Sequence, residues 1–600
     1  MKIAFWKGRQ IARRLILSIL LALLVVLARE MARNSATRVR LTGSFRVEAR
    51  GQTSGEQFVA EEYSGPKKSL SIRADDFYLD EKQNEHLEGQ VEVTDEGSEV
   101  KATLRAGHLI IPPGRKKVEA ENGVEVEFDG LLIKAEVLEY SVEEKAVRAP
   151  RAEVIGRNFV LSGEGFSYHS LSRSATFDGK FQGHFGSQKE GFNISGKKAW
   201  WEAKKNLLSV EELVLTSGKV QLTSPAAAIN LNDSDGRIES ATFEGGACFL
   251  SRSNQEKSDL QEVKIMAGEL TLEKNGERYL ALAAKGFSLE GTGKKLSVTG
   301  GGVSLRLAFY MERGPEKLET EKSEFKVLQG DYDRRHLKAE KIDYDLLENK
   351  MVLSGQAAAL FKHQELSARE IRLQVSEQEL EASFFQMAIR PGFFTGEMVF
   401  FNQDRIIYLT GEKLSQKEKL IRGEGNLRMW QDDCFLMAEK MSADESSGRV
   451  EVEQEVTLNG RLLAPSGIEK NLNLSAGRVI LLSEEQKIKA EHRTDLRFDG
   501  LTIKAPVLGV HFAKNEKAKL LGLEFPEGLE ISWKDYQAQG KRGFYQAEKD
   551  VLEIQLQAEL IDRNGQRVTA DKLTLFLADD RIFVENQKRK RSQIILVRAK

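Results

Sequence analysis

Hydrophobic and polar residues alternate with a period of two along most of the chain that follows residue 35. The alternation is clear in VEVEF (124–128), RVEVEQEVTLNG (449–460) and LEIQLQAEL (552–560). This period is typical of β-strands that have one apolar and one polar face. Few windows beyond the N-terminal segment have a sustained helical period. The pattern therefore predicts an all-β fold of mostly antiparallel strands.

One phrase of this pattern occurs twice. FDGLLIKAEVL at 128–138 returns as FDGLTIKAPVL at 498–508, with nine of eleven positions identical. In the first copy, Asp129 and Gly130 separate two apolar stretches, and an Asp-Gly pair in that setting is a strong signal for a hairpin turn. The repeat predicts a series of similar hairpin units, each of which needs its neighbours to complete its core.

A looser motif marks further units. It consists of an alanine, an acidic residue, alternating apolar residues, a polar turn and a second strand. The alanine and a position in the second strand are fifteen or sixteen residues apart in Ala74–Gly89, Ala339–Gly355, Ala438–Gln454 and Ala570–Asn586. Looser copies begin at Ala60, Ala135 and Ala490. The spacing predicts two strands of about seven residues joined by a short turn.

The first 34 residues differ from the rest of the chain. Basic residues precede the apolar run LILSILLALLVVLA at 15–28. A cleaved signal peptide and an uncleaved membrane anchor both fit this layout. We favour a transmembrane helix, because Arg14 and Arg29 are placed to reach the two membrane interfaces. The positive-inside rule would then keep the N-terminus cytoplasmic and export the remaining chain.

Length, charge and cysteine content narrow the classes of protein. The 89 basic and 91 acidic residues are balanced, which argues against a dedicated nucleic-acid binder. Cys248 and Cys434 lie far apart without a CxxC spacing, so a disulfide and two buried thiols both remain open. A chain of 600 residues exceeds one ordinary domain. We predict an anchor at 1–34 and β modules at 35–160, 161–310, 311–410 and 411–600.

The strand motifs resemble the OstA-like β-jellyroll family of lipopolysaccharide transport. The matching residues read ADDFYLDEKQNEHLEGQVEV at 74–93 and AEKIDYDLLENKMVLSGQAAAL at 339–360, after a basic N-terminus with one apolar span. The resemblance implies one N-terminal transmembrane helix followed by tandem antiparallel β-jellyroll modules, each V-shaped with an open slot. The chain departs from the family's single-span subunit in its length, which suggests that anchor and periplasmic bridge are combined in one polypeptide.

The resemblance also implies a function in lipid transport. Acyl chains would lie in the slot, where each buried CH₂ is worth ~0.8 kcal/mol, while the head group stays in water. The implied partners are lipopolysaccharide or a related lipid, an inner-membrane ABC transporter complex, and periplasmic or outer-membrane jellyroll proteins joined by edge-strand pairing. The implied location is the inner membrane, with the bulk of the chain in the periplasm and no nucleic-acid partner.

The repeated phrase supplies candidate residues for lipid contact. Strict alternation places Ile133, Ala135 and Val137 on one face, and Lys134 and Glu136 toward water. The small alanine would let the opposing sheet approach closely. The candidates are Phe128, Ile133, Val137, Phe498, Ile503 and Val507. Plain core packing is an equally good interpretation of each of them.

The sequence lacks the motifs of several enzyme classes. It contains no GxxxxGK[ST], GxSxG or HExxH, and its eight histidines are scattered singly. We therefore expect no enzyme activity, no cofactor and no metal. Three other classes stay open: an AsmA-like phospholipid-transfer protein, a structural β-solenoid scaffold with a filled core, and a polysaccharide-processing β-helix enzyme with clustered carboxylates. An open slot, as opposed to a filled core, would distinguish lipid transport from a scaffold.

Overall fold

The computed structural model describes residues 40–596, except for 48–52, 65–66, 96–101, 114–115, 129, 142–143, 145, 170–171, 187–190, 233–235, 253–259, 284–285, 294–295, 311–313, 330–332, 376–378, 396–397, 399, 403, 514–518 and 587–590. All regular secondary structure in this part of the chain is β-strand.

The first half of the described chain contains β1 (Arg40–Val47), β2 (Thr53–Ser64), β3 (Lys67–Leu79), β4 (Glu85–Asp95), β5 (Ala102–Ile111), β6 (Lys117–Phe128), β7 (Leu131–Ser141), β8 (Ala146–Ile155), β9 (Phe159–His169), β10 (Ser174–Phe177), β11 (Phe181–Phe185), β12 (Phe192–Gly196), β13 (Lys198–Glu202), β14 (Leu207–Ser217), β15 (Val220–Leu231), β16 (Ile238–Arg252), β17 (Leu260–Asn275), β18 (Arg278–Ala283), β19 (Phe287–Gly293), β20 (Leu296–Gly302) and β21 (Ser304–Tyr310).

The second half contains β22 (Gly314–Gln329), β23 (Asp333–Asp345), β24 (Lys350–Leu360), β25 (Gln364–Gln374), β26 (Glu379–Ile389), β27 (Ile407–Lys417), β28 (Leu420–Gln431), β29 (Cys434–Asp444), β30 (Val450–Leu463), β31 (Glu469–Leu482), β32 (Lys487–Phe498), β33 (Leu501–Phe512), β34 (Leu520–Phe525), β35 (Leu529–Trp533), β36 (Tyr536–Gly540), β37 (Arg542–Gln546), β38 (Val551–Ile561), β39 (Arg567–Phe576), β40 (Arg581–Asn586) and β41 (Arg591–Leu596).

The chain divides into two compact units. Unit 1 consists of the described residues of Met1–Gln255, Gln261–Glu290 and Val303–Glu316, and unit 2 of those of Glu256–Leu260, Gly291–Gly302 and Lys317–Lys600. Within each unit, long strands that follow one another pair in antiparallel fashion, as β6 and β7 do in unit 1 and β32 and β33 do in unit 2.

The long strands are bent near their middle, as β14 shows. Its side chains alternate up to the buried Val210, then Glu211 and Glu212 are both exposed, and the alternation resumes at the buried Leu213. Glu212 has a left-handed backbone with a φ of 52°. An extra residue of this kind forms a β-bulge, which bends a strand. Because the bulge also resets the alternation, Val210 and Leu213 both point to the inside of the bend.

The bends of neighbouring strands occur at the same level, so a line of bends divides the sheet. In unit 2 the strand register shifts between Glu453 and Val456 where β30 meets β31, and between Glu491 and Thr494 where β32 meets β33. We call this line the corner, and the two halves of the sheet that it separates are the arms. In both units, arm 1 contains the hairpin of the repeated phrase, where Phe128 pairs with Leu131 or Phe498 with Leu501, and arm 2 is the other arm.

At some positions the corner separates a strand into two short ones. In unit 1, β9 pairs with β11 through its first half and with β10 through its second half. In unit 2, β33 pairs in the same way with β35 and β34. Each such pair of short strands therefore replaces one bent strand and leaves both arms continuous.

The expected strand length of about seven residues is wrong. β7 has 11 residues and β33 has 12. Ala74 lies where β3 crosses the corner, and Gly89 lies where β4 crosses it. The spacing of fifteen residues between them therefore comprises the second half of β3, the turn at the end of the arm and the first half of β4. A bent strand reads as two short strands because its alternation is broken in the middle.

The predicted fold class is corrected in its helical part. The described residues contain no helix, and none of them forms an apolar helix long enough to cross a membrane. The segment 1–34, on which the transmembrane helix was predicted, lies outside them. Alternation with a period of two leaves no helical face in the part that is described. The proposed boundaries near 160, 310 and 410 stay predictions.

Candidate functional site

The space between the arms is filled with apolar side chains from both of them. In β30, Val450 and Val452 come from arm 2, while Val456 and Leu458 come from arm 1, and none of the four is more than 1% exposed. At the corner, where the arms converge, the inward residue is often alanine, as at Ala438, which is 5% exposed. A methyl group fits where a longer side chain would push the arms apart.

The acidic residue of the sequence motif has a structural role at the corner. The Asp75 carboxylate of β3 accepts a hydrogen bond from the backbone N–H of Gln90 on β4, at 2.8 Å. It lies over Gly89, whose φ is +90°, in the space that a Cβ there would occupy. Glu340 covers Gly355 in the same way. The alanine, the acid and the later glycine are therefore parts of one corner, which explains their spacing.

The structure places three of the predicted lipid-contacting residues inside the fold. Ile133 is 2% exposed, and Phe498 and Ile503 are each 1% exposed. All three project between the arms with the apolar layer described above. The backbone of Phe128 ends β6, and its side chain lies outside the described part. Burial is compatible with lipid contact and with core packing alike, so the role of these residues stays a prediction.

The predicted inward orientation of Val137 is wrong. Val137 is 37% exposed and follows the exposed Glu136 at the corner of β7. Leu138, which is 3% exposed, takes the inward position instead. Val507 in the second copy is half-buried, and the inward residue after the corner is again the next one, Leu508. Strict alternation failed here because the bulge shifts the inward face by one residue.

A buried lysine joins the two arms at the edge opposite the corner, which we call the mouth. Lys470 begins arm 1 of β31, and its side chain is 6% exposed. Its Nζ lies 2.6 Å from a carboxylate oxygen of Asp499 in arm 1 and 2.6 Å from one of Asp550 in arm 2. It also donates a hydrogen bond of 3.1 Å to the hydroxyl of Tyr545 in arm 2.

The hydrogen-bond partners of Lys470 stabilise its charged form. Burial by itself lowers the pKa of Lys470, but the hydrogen bonds to Asp499, Asp550 and Tyr545 outweigh it and raise the pKa above its ordinary value. The ammonium group also lies 5.6 Å from the ring centroids of Phe498 and Tyr545. A lysine so bonded stays charged at neutral pH.

Other contacts across the mouth accompany it in unit 2. The guanidinium of Arg335 in arm 1 donates to the carbonyl oxygen of Val375 in arm 2 at 3.4 Å. A parallel β-bridge joins the backbones of Leu463 and Lys519. Lys534 and Asp580 form an ion pair.

Residues of the two arms are also in contact at the mouth of unit 1. Gly236, in the turn after β15, packs so closely on Asn158, in the turn after β8, that a Cβ on the glycine would lie 2.9 Å from the asparagine Cβ. At these contacts the arms touch at the mouth and enclose an interior filled with side chains. The predicted open V-shaped slot is therefore wrong for these described parts of the two units. Of the residues that make these contacts, only Asp499 belongs to the repeated phrase, so the repeat by itself does not indicate them.

A long loop covers the mouth between β26 and β27. It runs over 390–406 and brings four phenylalanines to the interior, which are between 2% and 7% exposed: Phe393, Phe394, Phe400 and Phe401. Its Thr395 donates hydrogen bonds from its backbone N–H at 3.0 Å and from its hydroxyl at 3.3 Å to the carbonyl oxygen of Glu445 in arm 2. We call this segment the phenylalanine loop.

Clefts with charged residues in their walls lie along the corner of both units. The cleft in unit 2 with a volume of ≈ 810 Å³ is lined by charged residues such as Arg493, Lys504 and Glu530. One in unit 1, of ≈ 650 Å³, is lined by Arg73, Asp75 and others of the first corners. Charged walls of this kind suit water and polar groups and disfavour hydrocarbon, so the interior is the better candidate site for acyl chains.

Two histidines that look isolated in the sequence lie together. His86 Nδ1 and His108 Nε2 are 2.9 Å apart, on β4 and β5, and His86 Nε2 lies 3.2 Å from Asp80. Cross-strand register brings them together over 22 residues, which no short motif would reveal. Within the part of the chain that the structure describes, no group of three or more histidine, cysteine or acidic side chains is arranged to hold a metal ion.

The fold and the site define a folded antiparallel sheet with an apolar interior between two arms. No family model and no curated protein matches the chain. Among solved structures, it is similar to LptH from Pseudomonas aeruginosa, the LptA-homologous periplasmic component of the conserved lipopolysaccharide transport device. The identity is 17%, the TM-score is 0.13, and the match covers 28% of this chain and 82% of that one. A match of this quality carries no argument about function.

Proposed function

We propose that the chain is a carrier of lipid acyl chains, which lie between the two arms of the folded sheet. The observation that carries the proposal is the reset of alternation at the corner, as at Glu211 and Glu212, which turns the apolar side chains of both arms to one inside. Acyl chains between such walls leave water at a gain of ~0.8 kcal/mol per CH₂.

The arrangement of hydrogen bonds allows such a carrier to open. The backbone ladders run along each arm and around the corner, whereas the mouth is held mainly by side chains such as Arg335 and Lys470 and by the phenylalanine loop. Spreading the arms would therefore break a few side-chain contacts, the Leu463–Lys519 bridge and the backbone bond of Thr395, and would leave the ladders intact. Interfaces of this kind are the usual place for conformational change around a ligand.

Lipopolysaccharide or a related lipid is the cargo that we propose, because the motifs at 74–93 and 339–360 resemble those of the OstA-like family. This cargo implies a periplasmic location for residues 40–596. It also implies an inner-membrane ABC transporter as the donor and jellyroll proteins as further partners. The proposed role requires no catalytic step in this chain. An AsmA-like phospholipid carrier differs from this proposal in its cargo.

A scaffold with a filled core is the second candidate function. It is favoured by the burial of Ile133, Phe498 and Ile503 to 1–2% exposure among the side chains of the two arms. A core that is close-packed has no free volume for an acyl chain. The two functions therefore differ in whether the arms separate to admit lipid.

Photo-crosslinking separates the candidates. The full chain, produced in a bacterium that makes lipopolysaccharide, would carry a benzophenone amino acid at Ile133, at Ile503 or at the outward Lys134, whose Nζ pairs with Glu125 at 2.8 Å. We expect lipopolysaccharide adducts at both inward positions and none at Lys134. Phospholipid adducts would assign the AsmA-like cargo. A folded protein without lipid adducts at either inward position would contradict the carrier and favour the scaffold.

A further inference from the structure

The phenylalanine loop differs from the other turns at the mouth of unit 2 in length and composition. It has 17 residues, whereas the turns that join the later strands at the ends of the arms have two to seven. Turns of a few residues suffice to connect antiparallel neighbours, and β26 and β27 are such neighbours, since Ile389 pairs with Ile407. The extra length is therefore not needed for the sheet, and long loops in compact folds are commonly functional.

The loop inserts an aromatic ring between the arms. Gly460 of β30 lies on the inward face of arm 1, between the buried Leu458 and Leu462. A Cβ on Gly460 would overlap the ring of Phe400 and would lie 3.4 Å from Cys434 Sγ. The ring thus fills the place of a missing side chain on the wall of the interior. Phe400 itself has a φ of +76°, a strained conformation for a bulky residue.

The two sides of the loop are attached differently. On arm 1, the side-chain amide of Gln431 donates to the carbonyl oxygens of Asn402 at 2.7 Å and Ile406 at 3.4 Å. On arm 2, the described attachment consists of Thr395 and the carbonyl oxygens of Glu445 and Ser446. Release of Thr395 would break the described hydrogen bonds of the loop to arm 2, while Gln431 would still hold it at arm 1.

We propose that the phenylalanine loop occupies an acyl-chain site of unit 2 and that lipid enters there by displacing it. This inference rests on the proposed function and adds the place where the lipid is admitted. The rings of Phe393, Phe394, Phe400 and Phe401 bury apolar surface that an acyl chain would bury in their stead, so the interior stays dry in both states. The strained backbone at Phe400 favours release.

Two variants loosen the loop through different contacts. Thr395→Val removes the hydroxyl that bonds to arm 2, and Gly460→Ala places a methyl group where the Phe400 ring lies. Thr410→Val on β27 is the matched control, because Thr410 is half-buried in the strand and outside the loop. Each would be made in the full chain carrying Cys248→Ser, so that Cys434 is the remaining thiol.

Cys434 reports on the position of the loop. Cys434 is half-buried, and burial raises the pKa of its thiol, which should slow its alkylation while the loop is closed. We expect a maleimide to label Cys434 at least about fivefold faster in Thr395→Val and Gly460→Ala than in the parent or in Thr410→Val. An unchanged labelling rate in both loop variants would show that these contacts do not close the loop, and would overturn the inference.

Lipid uptake by the same proteins completes the test. The probe is a 16-carbon fatty acid with a fluorophore at its carboxyl end, and the measured quantity is its association rate constant. We expect an increase of at least about fivefold in both loop variants and none in Thr410→Val. If the parent binds the probe and the loop variants label faster but associate at the parental rate, the loop is not the site of admission. If no protein of the set binds it, the proposed function fails and the inference with it.

Discussion

Where both copies of the repeated phrase are described, they have matching strand pairing and matching inward residues, and the second copy is also joined across the mouth to arm 2. In unit 1, Ile133 pairs with Val126 and is 2% exposed, and in unit 2, Ile503 pairs with Leu496 and is 1% exposed. The turn glycines, Gly130 and Gly500, have φ values of 78° and 79°.

In the second copy, Asp499 takes part in a contact across the mouth. It bonds to Lys470, which reaches across to Tyr545 and Asp550 in arm 2. These partners are far from the phrase in sequence and are not part of it. The comparison teaches that the repeat encodes strand, turn and corner, while the fastening of one arm to the other depends on residues that are not repeated. Mutations can therefore test separately the features that both copies share and the contacts that are described for the second copy.

Shortening the shared inward side chain should have the largest effect, and a similar one in both copies. Ile133→Ala and Ile503→Ala each remove buried methyl groups and leave a cavity, which costs about 2–5 kcal/mol. Denaturant unfolding of the full chain, followed through the transition of the affected unit, measures it. Lys134→Ala and Lys504→Ala, on the outward face of the same strands, are the controls. A loss of unfolding free energy below about 1 kcal/mol in one copy would mean that the interior of that unit is packed less tightly than the interior of the other unit.

Replacing the unshared lysine should affect unit 2 alone. Lys470→Met keeps much of the side-chain volume but removes hydrogen bonds to two carboxylates and a tyrosine, and we expect a loss of about 1–3 kcal/mol. The denaturant midpoint of unit 2 should fall while that of unit 1 stays. Lys504→Met, on the outside of the same hairpin region, is the matched control. An equal fall in both lysine variants would refute the fastening role of Lys470.

The turn glycines should again respond alike. A Cβ added at Gly130 or Gly500 would meet no atom within 4 Å, so the cost of alanine is that of the left-handed backbone, about 1 kcal/mol. Asparagine tolerates this conformation better. Gly→Asn at each position should therefore cost less than Gly→Ala in thermal unfolding. Unequal costs in the two copies would show that one turn has neighbours that the other lacks.

The strand pattern, the antiparallel pairing and the turn at 129–130 could be predicted from the sequence because they depend on neighbours in the chain. The corner could have been found as well: two consecutive polar residues inside an apolar alternation, as in the VEELVL stretch around Glu211, are its signature. The contacts of Lys470 and of the phenylalanine loop could not, because they join residues tens of positions apart whose side chains carry no motif. The orientation of Val137 was predicted wrongly because strict alternation ignores the bulge at the corner.

The smallest effect concerns the outward face of the first copy. Lys134 and Glu125 pair at 2.8 Å, and the hydrogen bond and charge of Lys134 lower the pKa of the Glu125 carboxyl. A carboxyl whose folded pKa is lowered stabilises the fold above its unfolded pKa of about 4.3, and that contribution is lost as the pH falls through the folded pKa. Lys134→Gln should raise the pKa of Glu125 toward its ordinary value.

Because both side chains of this pair face water, the change in stability should be slight and should shrink further in high salt. The test compares the thermal midpoint of unit 1 in the parent and in Lys134→Gln at neutral pH and near pH 3. We expect a small difference at neutral pH that vanishes in acid. A difference that persisted near pH 3 would mean that Lys134 acts through packing of its aliphatic stem on the strand, and the outward faces of the two hairpins would then be part of their comparison as well.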